Sequence, residues 1–489
     1  MSTRFSRLSF LNAVACPRLG WFSRLATPPV ELSPGQGTLA ERFLSEEQRN
    51  VHDRVRALFP DAVMVTRQAY EAACWQTQDL LDLASTTAVL EAAFGTTTCR
   101  ARADILAREG DSWHLYEVKA QTHLTREAVD QMAFIWMVLD EAGVQLSRAS
   151  LVLVSRDYRA GSPDRELFHL EDVTGPTAAR AGEFTRILPA LNMETRSTEP
   201  PTPHLIPHCR HCPLFRSCFG ADLKHPVFEL PHVTPPQLGS MFELGYRAIT
   251  DVPDRTLLKE RQAAVWESVR NGKMVLTSDL NAELNAISWP THYLDFETVG
   301  TALPLLPDYA PFEQMPFLYS VRVCDKPGSL QAHRAFLAPH DRVGSRELVE
   351  RLLQDLGNEG SIAIYSQYQA RVIRGLARRH PDLSEALSRV RGRMVDLEHI
   401  IRHCVYHPDF HGSTSLRAVI AALVPGLSYI DLEIEDAQTA SAAFAFLMRG
   451  DYYSATRAPL VRRDLYSYCA RDTFALVRLH QALLTVSSP

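Results

Sequence analysis

Cys16 stands alone near one end of the chain, and Cys209, Cys212 and Cys218 form a C-x2-C-x5-C run far downstream. Thiols at such short spacing are metal or iron–sulfur ligands in a chain whose cysteines are kept reduced. A lone early thiol completing that set would clasp the two ends of everything between them. The intervening chain must then fold as a unit that returns to its own beginning. Four thiolates suit zinc and iron–sulfur equally, so spacing leaves both open.

The same cysteine decides how the first thirty residues are read. They carry Arg4, Arg7, Arg18 and Arg24, several serines and no acid, a composition shared with organellar transit peptides. Because the downstream cysteines need a fourth ligand, residues 11–21 are expected to be a folded segment presenting Cys16, with Met1 to Trp21 part of the domain. The other cysteines, Cys74, Cys99, Cys324, Cys404 and Cys469, lie among apolar residues and are expected to be buried thiols.

At 489 residues the chain exceeds one ordinary core, so two or three domains are expected. A hydrophobic content of 46% and a charged content of 22% are those of a globular protein. The net charge of -6 argues against a generally basic nucleic-acid coat, although a local basic groove stays open. No run of about 18 apolar residues occurs, so no membrane helix is expected and a cytoplasmic protein is.

Periodicity divides the chain into two α/β regions. Residues 39–58 read as a helix, 62–65 as a strand and 77–94 as a second helix. Residues 100–108 and 113–120 read as strands about the turn Glu109-Gly110-Asp111, followed by a helix at 126–142 and a buried strand at 149–155. A proline-rich stretch at 196–208 leads into the three cysteines. The expected division is a first domain over 1–225, a helical connector over 226–288 and a second α/β domain over 289–489. In the last, strands are expected at 293–298, 317–323 and 361–365, and helices at 370–379 and 465–484.

Two constellations carry chemistry. In the first, Glu117 and Lys119 alternate on one strand and so share a face, and the neighbouring strand can bring Asp104 beside them. Two carboxylates would hold Mg²⁺ or Mn²⁺, and the ammonium group would orient water and stabilise charge on a phosphate. Taken alone, E-x-K on an edge strand is more often a solvated ion pair. In the second, Asp295 and Glu297 share a strand face, and Tyr468 lies one helical turn before Asp472 in Y-x3-D.

With the cysteines in place, residues 10–220 resemble the RecB-like branch of the PD-(D/E)XK nucleases that carries a 4Fe-4S cluster, as in the CRISPR-associated RecB-like nucleases and AddB-type helicase-nuclease subunits. The resemblance implies a restriction-endonuclease-like fold, Asp104, Glu117 and Lys119 as catalytic residues, and Cys16, Cys209, Cys212 and Cys218 as cluster ligands. It also puts a metal-site histidine on an early helix, which His52 matches, although Gln48 replaces the usual glycine. The branch's Q-x3-Y motif is present only as Gln131, with Ile135 in place of the tyrosine.

Residues 289–485 are similar to DnaQ-like DEDDy 3′–5′ exonucleases of the RNase H-like fold, and to an uncharacterised prokaryotic family that fuses such a domain to a RecB-like one. That family's blocks stand here as Tyr406-His407-Pro408-Asp409-Phe410, Ser413-Thr414-Ser415-Leu416 and Leu423-Val424-Pro425-Gly426-Leu427-Ser428-Tyr429. The likeness implies Asp295, Glu297, Tyr468 and Asp472 as the second catalytic set, the three acids being metal ligands. Relatives carry an acid where this chain has Gln369, and Asp396 is the alternative donor. The expectation is a metal-dependent nuclease acting on single-stranded DNA or duplex ends, with RNA still open as a substrate. The alternative is a nucleic-acid-binding or redox-sensing protein whose centres have decayed.

Overall fold

The computed structural model describes residues 4–29, 32, 37–220, 223–339 and 345–487. Contacts divide the chain into two compact units of mixed α/β structure. The first is Met1–His204, His211–Cys218 and Thr301–Glu313; the second is Leu205–Arg210, Phe219–Gly300 and Gln314–Pro489.

In the first unit α1 (Arg7–Ala15), α2 (Pro17–Ser23) and α3 (Leu39–Val55) precede β1 (Val63–Met64), α4 (Tyr70–Asp82) and β2 (Ala88–Gly95). Then come β3 (Arg100–Glu109), β4 (Ser112–Lys119), α5 (Arg126–Glu141), β5 (Leu146–Val154), β6 (Phe168–Asp172), α6 (Thr174–Thr195) and the short α7 (Phe215–Phe219). The six strands make one sheet in chain order, with β1–β2 and β4–β5 parallel and the other pairs antiparallel.

Both faces of that sheet are covered. Phe10 of α1 meets Phe134 of α5 and Phe184 of α6, with ring centroids 5.1 and 5.0 Å away. On the other face Val51 and Val55 of α3 pack with Ile105, Val118, Val152 and Ala302. The first helices are thus part of a core, as expected for the segment presenting Cys16; residues 1–3 of the stretch Met1 to Trp21 lie outside the described residues. The α3 start is set by Thr38, whose hydroxyl accepts from the Glu41 N–H while the Glu41 carboxylate accepts from the Thr38 N–H.

One expected element is corrected. The helix expected at 77–94 is instead the end of α4 and all of β2. Ala88–Gly95 is an almost unbroken apolar run, and such a run carries no period to separate a buried strand from a buried helix. Its sheet neighbours, β1 and β3, bury it from both sides.

In the second unit α8 (Pro235–Glu243), α9 (Glu260–Asn271), β7 (Val275–Leu276) and α10 (Leu280–Asn285) lead into β8 (Thr291–Val299), β9 (Met315–Cys324) and β10 (Leu330–Leu337). They are followed by α11 (Ser345–Leu356), β11 (Ile362–Ile364), α12 (Tyr368–Arg379), α13 (Ser384–Gly392), β12 (Met394–Asp396), α14 (Leu397–Cys404), β13 (Val405–Tyr406), α15 (Leu416–Leu423), α16 (Ala437–Arg449) and α17 (Ala458–Ser487). The main sheet has the order β10-β9-β8-β11-β12, antiparallel through its first three strands and parallel through its last three. Leu348, Leu352, Ile373 and Leu387 cover one face, and α17 packs its buried side against β8 and β9 on the other. No helix among the described residues is long and apolar enough to cross a membrane.

Candidate functional site

The first acidic site forms where two strands part. The β3–β4 ladder runs from Glu109 opposite Ser112 to Ile105 opposite Tyr116 and then stops. Beyond it, side chains take over the hydrogen bonds. The Val118 N–H donates to Asp104 Oδ2 at 2.8 Å, and the Asp104 N–H donates to Glu117 Oε1 at 3.3 Å. Each carboxylate is therefore fixed by the other strand's backbone.

Basic groups close around them. Arg7 and Lys119 reach Glu117 Oε2 at 2.9 and 3.2 Å, and Lys119 Nζ also donates to Gln131 Oε1 at 2.8 Å. His52, on α3, lies 3.8 Å from Asp104 Oδ2, and its Nε2 is 2.6 Å from Gln48 Nε2. Burial pushes the Asp104 carboxyl well above its usual range and Glu117 adds to this, while the Val118 N–H and Lys119 oppose it. Burial lowers His52, favouring the neutral imidazole that a metal needs.

Glu91 joins this site and was not expected there. Its carboxylate, His52 and Asp104 offer ligand atoms that all lie within 4.8 Å of one another. In the β2–β3 ladder Leu90 faces Ile105 and Ala92 faces Ala103, so Glu91 falls opposite Asp104. Its φ of 56° is left-handed, a conformation a non-glycine strand residue adopts only under local constraint. A charge inside the apolar run of β2 was the available signal.

The second site gathers on β8, α12 and α17. Gln369 Nε2 donates to Asp295 Oδ1 at 2.7 Å, while Gln369 Oε1 is buried and has no partner among the described residues. The Tyr429 hydroxyl donates to Asp472 Oδ1 at 2.6 Å, and Tyr468 also hydrogen-bonds Asp472. Burial, then Asp472, pushes Asp295 up to about 8; burial pushes Asp472 up to about 6 against the pull of Tyr429, Arg417 and Tyr468. Glu297 is raised by burial and then by Asp295, Asp472 and Asp436. Tyr468 is raised by burial and by Asp472.

Two members of this site were not assigned from sequence. Tyr429 ends the block that begins at Leu423, and nothing in that local pattern assigns it a role. Cys469, expected only as a buried thiol, places its sulfur within 4.8 Å of ligand atoms of Asp295 and Glu297. Asp396 is committed elsewhere: its carboxylate accepts from Ser366, Glu398 and His399 N–H groups and from Gln367 Nε2, capping α14.

Three of the four candidate cluster ligands lie together in the first unit. Burial raises the Cys212 thiol, the Leu214 N–H opposes this, and Cys218 and Cys16 are near enough to raise it further. Cys209 is buried in a turn of the second unit, where its Sγ accepts from the Ile206 N–H at 3.5 Å.

A family model described as a domain of unknown function, DUF2779, matches residues 292–415. That stretch includes Asp295, Glu297 and Gln369 and ends before Tyr429, Tyr468 and Asp472. No curated protein and no solved structure matches the chain.

Proposed function

We propose that this chain is a metal-dependent nuclease that hydrolyses DNA phosphodiester bonds, with a RecB-like PD-(D/E)XK module followed by a DnaQ-like DEDDy-type exonuclease module. The observation that carries the reading is the second acidic site. Glu297, which is buried, and the half-buried Asp295 and Asp472 are drawn together, and among the described residues none forms an ion pair. Clustered carboxylates without an ion pair call for a cation, and all-oxygen donors fit Mg²⁺ or Mn²⁺. The spatial order of the second sheet, with the third, second and first strands antiparallel and the fourth and fifth parallel, also supports an RNase H-like reading.

Divalent ions held by these carboxylates would polarise the phosphate and lower the pKa of an attacking water. In the first module Asp104, Glu117, His52 and Glu91 are the residues to hold such an ion. Lys119, steadied by Gln131, is placed to orient water and to stabilise charge developing on the phosphate. In the second, Tyr468 sits beside Asp472 to position water. The neutral Gln369 is a weaker ligand than an acid, so this module works more slowly than a complete four-acid site.

On the spacing in the sequence, Cys16, Cys209, Cys212 and Cys218 are the candidate thiolates for a structural 4Fe-4S cluster. Anaerobically purified protein is then brown; colourless protein holding stoichiometric zinc replaces the cluster with a zinc site.

The test of function is incubation of labelled single- and double-stranded DNA and RNA with Mg²⁺ or Mn²⁺, comparing wild type with Lys119→Ala and Asp295→Ala. Loss in one variant identifies the working module. Cleavage indifferent to both substitutions sinks the reading.

A further inference from the structure

His225, Glu229 and His411 converge within the second unit, outside both acidic sites. The Nδ1 of His225 lies 3.3 Å from Glu229 Oε2, and the Nδ1 of His411 lies 3.3 Å from Glu229 Oε1. The two imidazoles are nearly parallel, with centroids 5.0 Å apart and planes 10° from each other. One ligand atom from each of the three residues can be chosen so that all lie within 4.8 Å of one another.

The backbone is bent to bring this about. His225 and His411 both have φ of 47°, in the left-handed region that non-glycine residues seldom occupy. Neither turn is loose. The Ile249 N–H donates to the His225 carbonyl at 2.8 Å, tying that turn to the segment before α9. After His411, Gly412 also has positive φ, and a Cβ there would come within 2.6 Å of the Glu229 carbonyl oxygen. The His411 turn is thus pressed against the backbone of Glu229, and only glycine permits the approach. Strained residues held by close packing mark sites where the strain serves a purpose.

One imidazole nitrogen from each turn converges on a different oxygen of the same carboxylate, so the three side chains enclose a single point from three directions. Two imidazoles and one carboxylate are a recurrent zinc donor set, and imidazole favours zinc over Mg²⁺ or Mn²⁺.

We propose that His225, Glu229 and His411 bind one Zn²⁺, with water in the fourth position, and that the ion pins the turn at His225 to the turn at His411. The site is independent of the nuclease reading and of the cysteines.

The test is zinc titration of the full-length protein in excess Mg²⁺, which occupies all-oxygen sites and leaves an imidazole site available. Wild type is compared with His411→Asn, chosen because asparagine tolerates left-handed backbone. Wild type should hold one more equivalent of zinc than the variant, and zinc should raise the melting temperature of wild type only. Glu229→Gln provides a second comparison if His411→Asn does not fold. Zinc bound at the cysteines is common to all three proteins and cancels. Equal zinc content in wild type and a folded variant overturns the site.

Discussion

In the first unit Glu117 is held by Arg7 and Lys119, and His52 stands beside Asp104. In the second, Asp295 meets the neutral amide of Gln369, and Asp472 meets the hydroxyl of Tyr429. Both places enclose carboxylates, but the first sets Arg7 and Lys119 in ion pairs with them, whereas the second has, among the described residues, only the pull of Arg417 on Asp472 without an ion pair. The first site is thereby organised before any cation arrives, with a lysine already aimed. In the second, Asp472 raises Asp295 and both raise Glu297 with no ion pair among the described residues to oppose them, so on the proposed reading a stronger response to pH and to divalent ions is expected there.

The largest effect expected from this contrast is at Lys119. In Asp295→Asn protein, where only the first site can act, Lys119→Ala lowers Mg²⁺-dependent DNA cleavage by about 10²–10³-fold. Single-turnover rates on labelled DNA measure it. A change below a few-fold would mean that the lysine merely balances charge.

Stability should separate the sites next. Asp295 and Asp472 have folded pKa values of about 8 and about 6, above the ordinary carboxylate value. Their contribution is therefore fully present below the unfolded pKa and is lost as pH rises through about 6 and then about 8. Metal-free protein should melt on the order of 5 °C lower at alkaline than at mildly acidic pH, and Mn²⁺ should restore the difference. Calorimetry of wild type against Asp295→Asn checks this: the variant has the flatter pH slope. Equal slopes would remove the argument for mutual repulsion.

The smallest effect sharpens the role of Gln369. Gln369→Glu adds a hard anionic ligand beside Asp295 and should tighten Mn²⁺ binding by roughly tenfold, with a parallel gain in exonucleolytic rate. Titration of activity against Mn²⁺ in a Lys119→Ala background reads the second site alone. An unchanged midpoint would place Gln369 outside the ion's reach.

Local patterns make much of this legible in the sequence. The β3–β4 hairpin could be read because Gly110 breaks two alternating strands, and its positive φ of 62° shows the turn that glycine permits. The strand bearing Asp295 and Glu297 and the helix bearing Tyr468 and Asp472 were legible from length and period. What escaped depends on relations that no local window contains. Helix α6 has little apolar periodicity and an internal Pro189, so nothing announced it. Glu91 is hidden because the apolar run of β2 has no period that marks it as strand, and its place opposite Asp104 is a matter of sheet register. Tyr429 and Cys469 reach the acidic site only through packing around α17, and the meeting of His225 with His411 joins turns far apart in the chain.

The grouping of Thr301–Glu313 with the first unit has a consequence for synthesis. Ala302 donates its N–H to Glu47 at 2.6 Å, and Ala302, Leu303 and Phe312 cover the apolar face made by Val51, Val55 and Val118. On the ribosome, the rest of that unit emerges roughly a hundred residues earlier, a delay of about 5–20 s at ordinary elongation rates. During that interval the nascent chain carries an uncovered greasy surface, open to chaperones. A fragment cut off before residue 301 keeps that surface permanently, so truncation of the gene is a poor way to isolate the first unit.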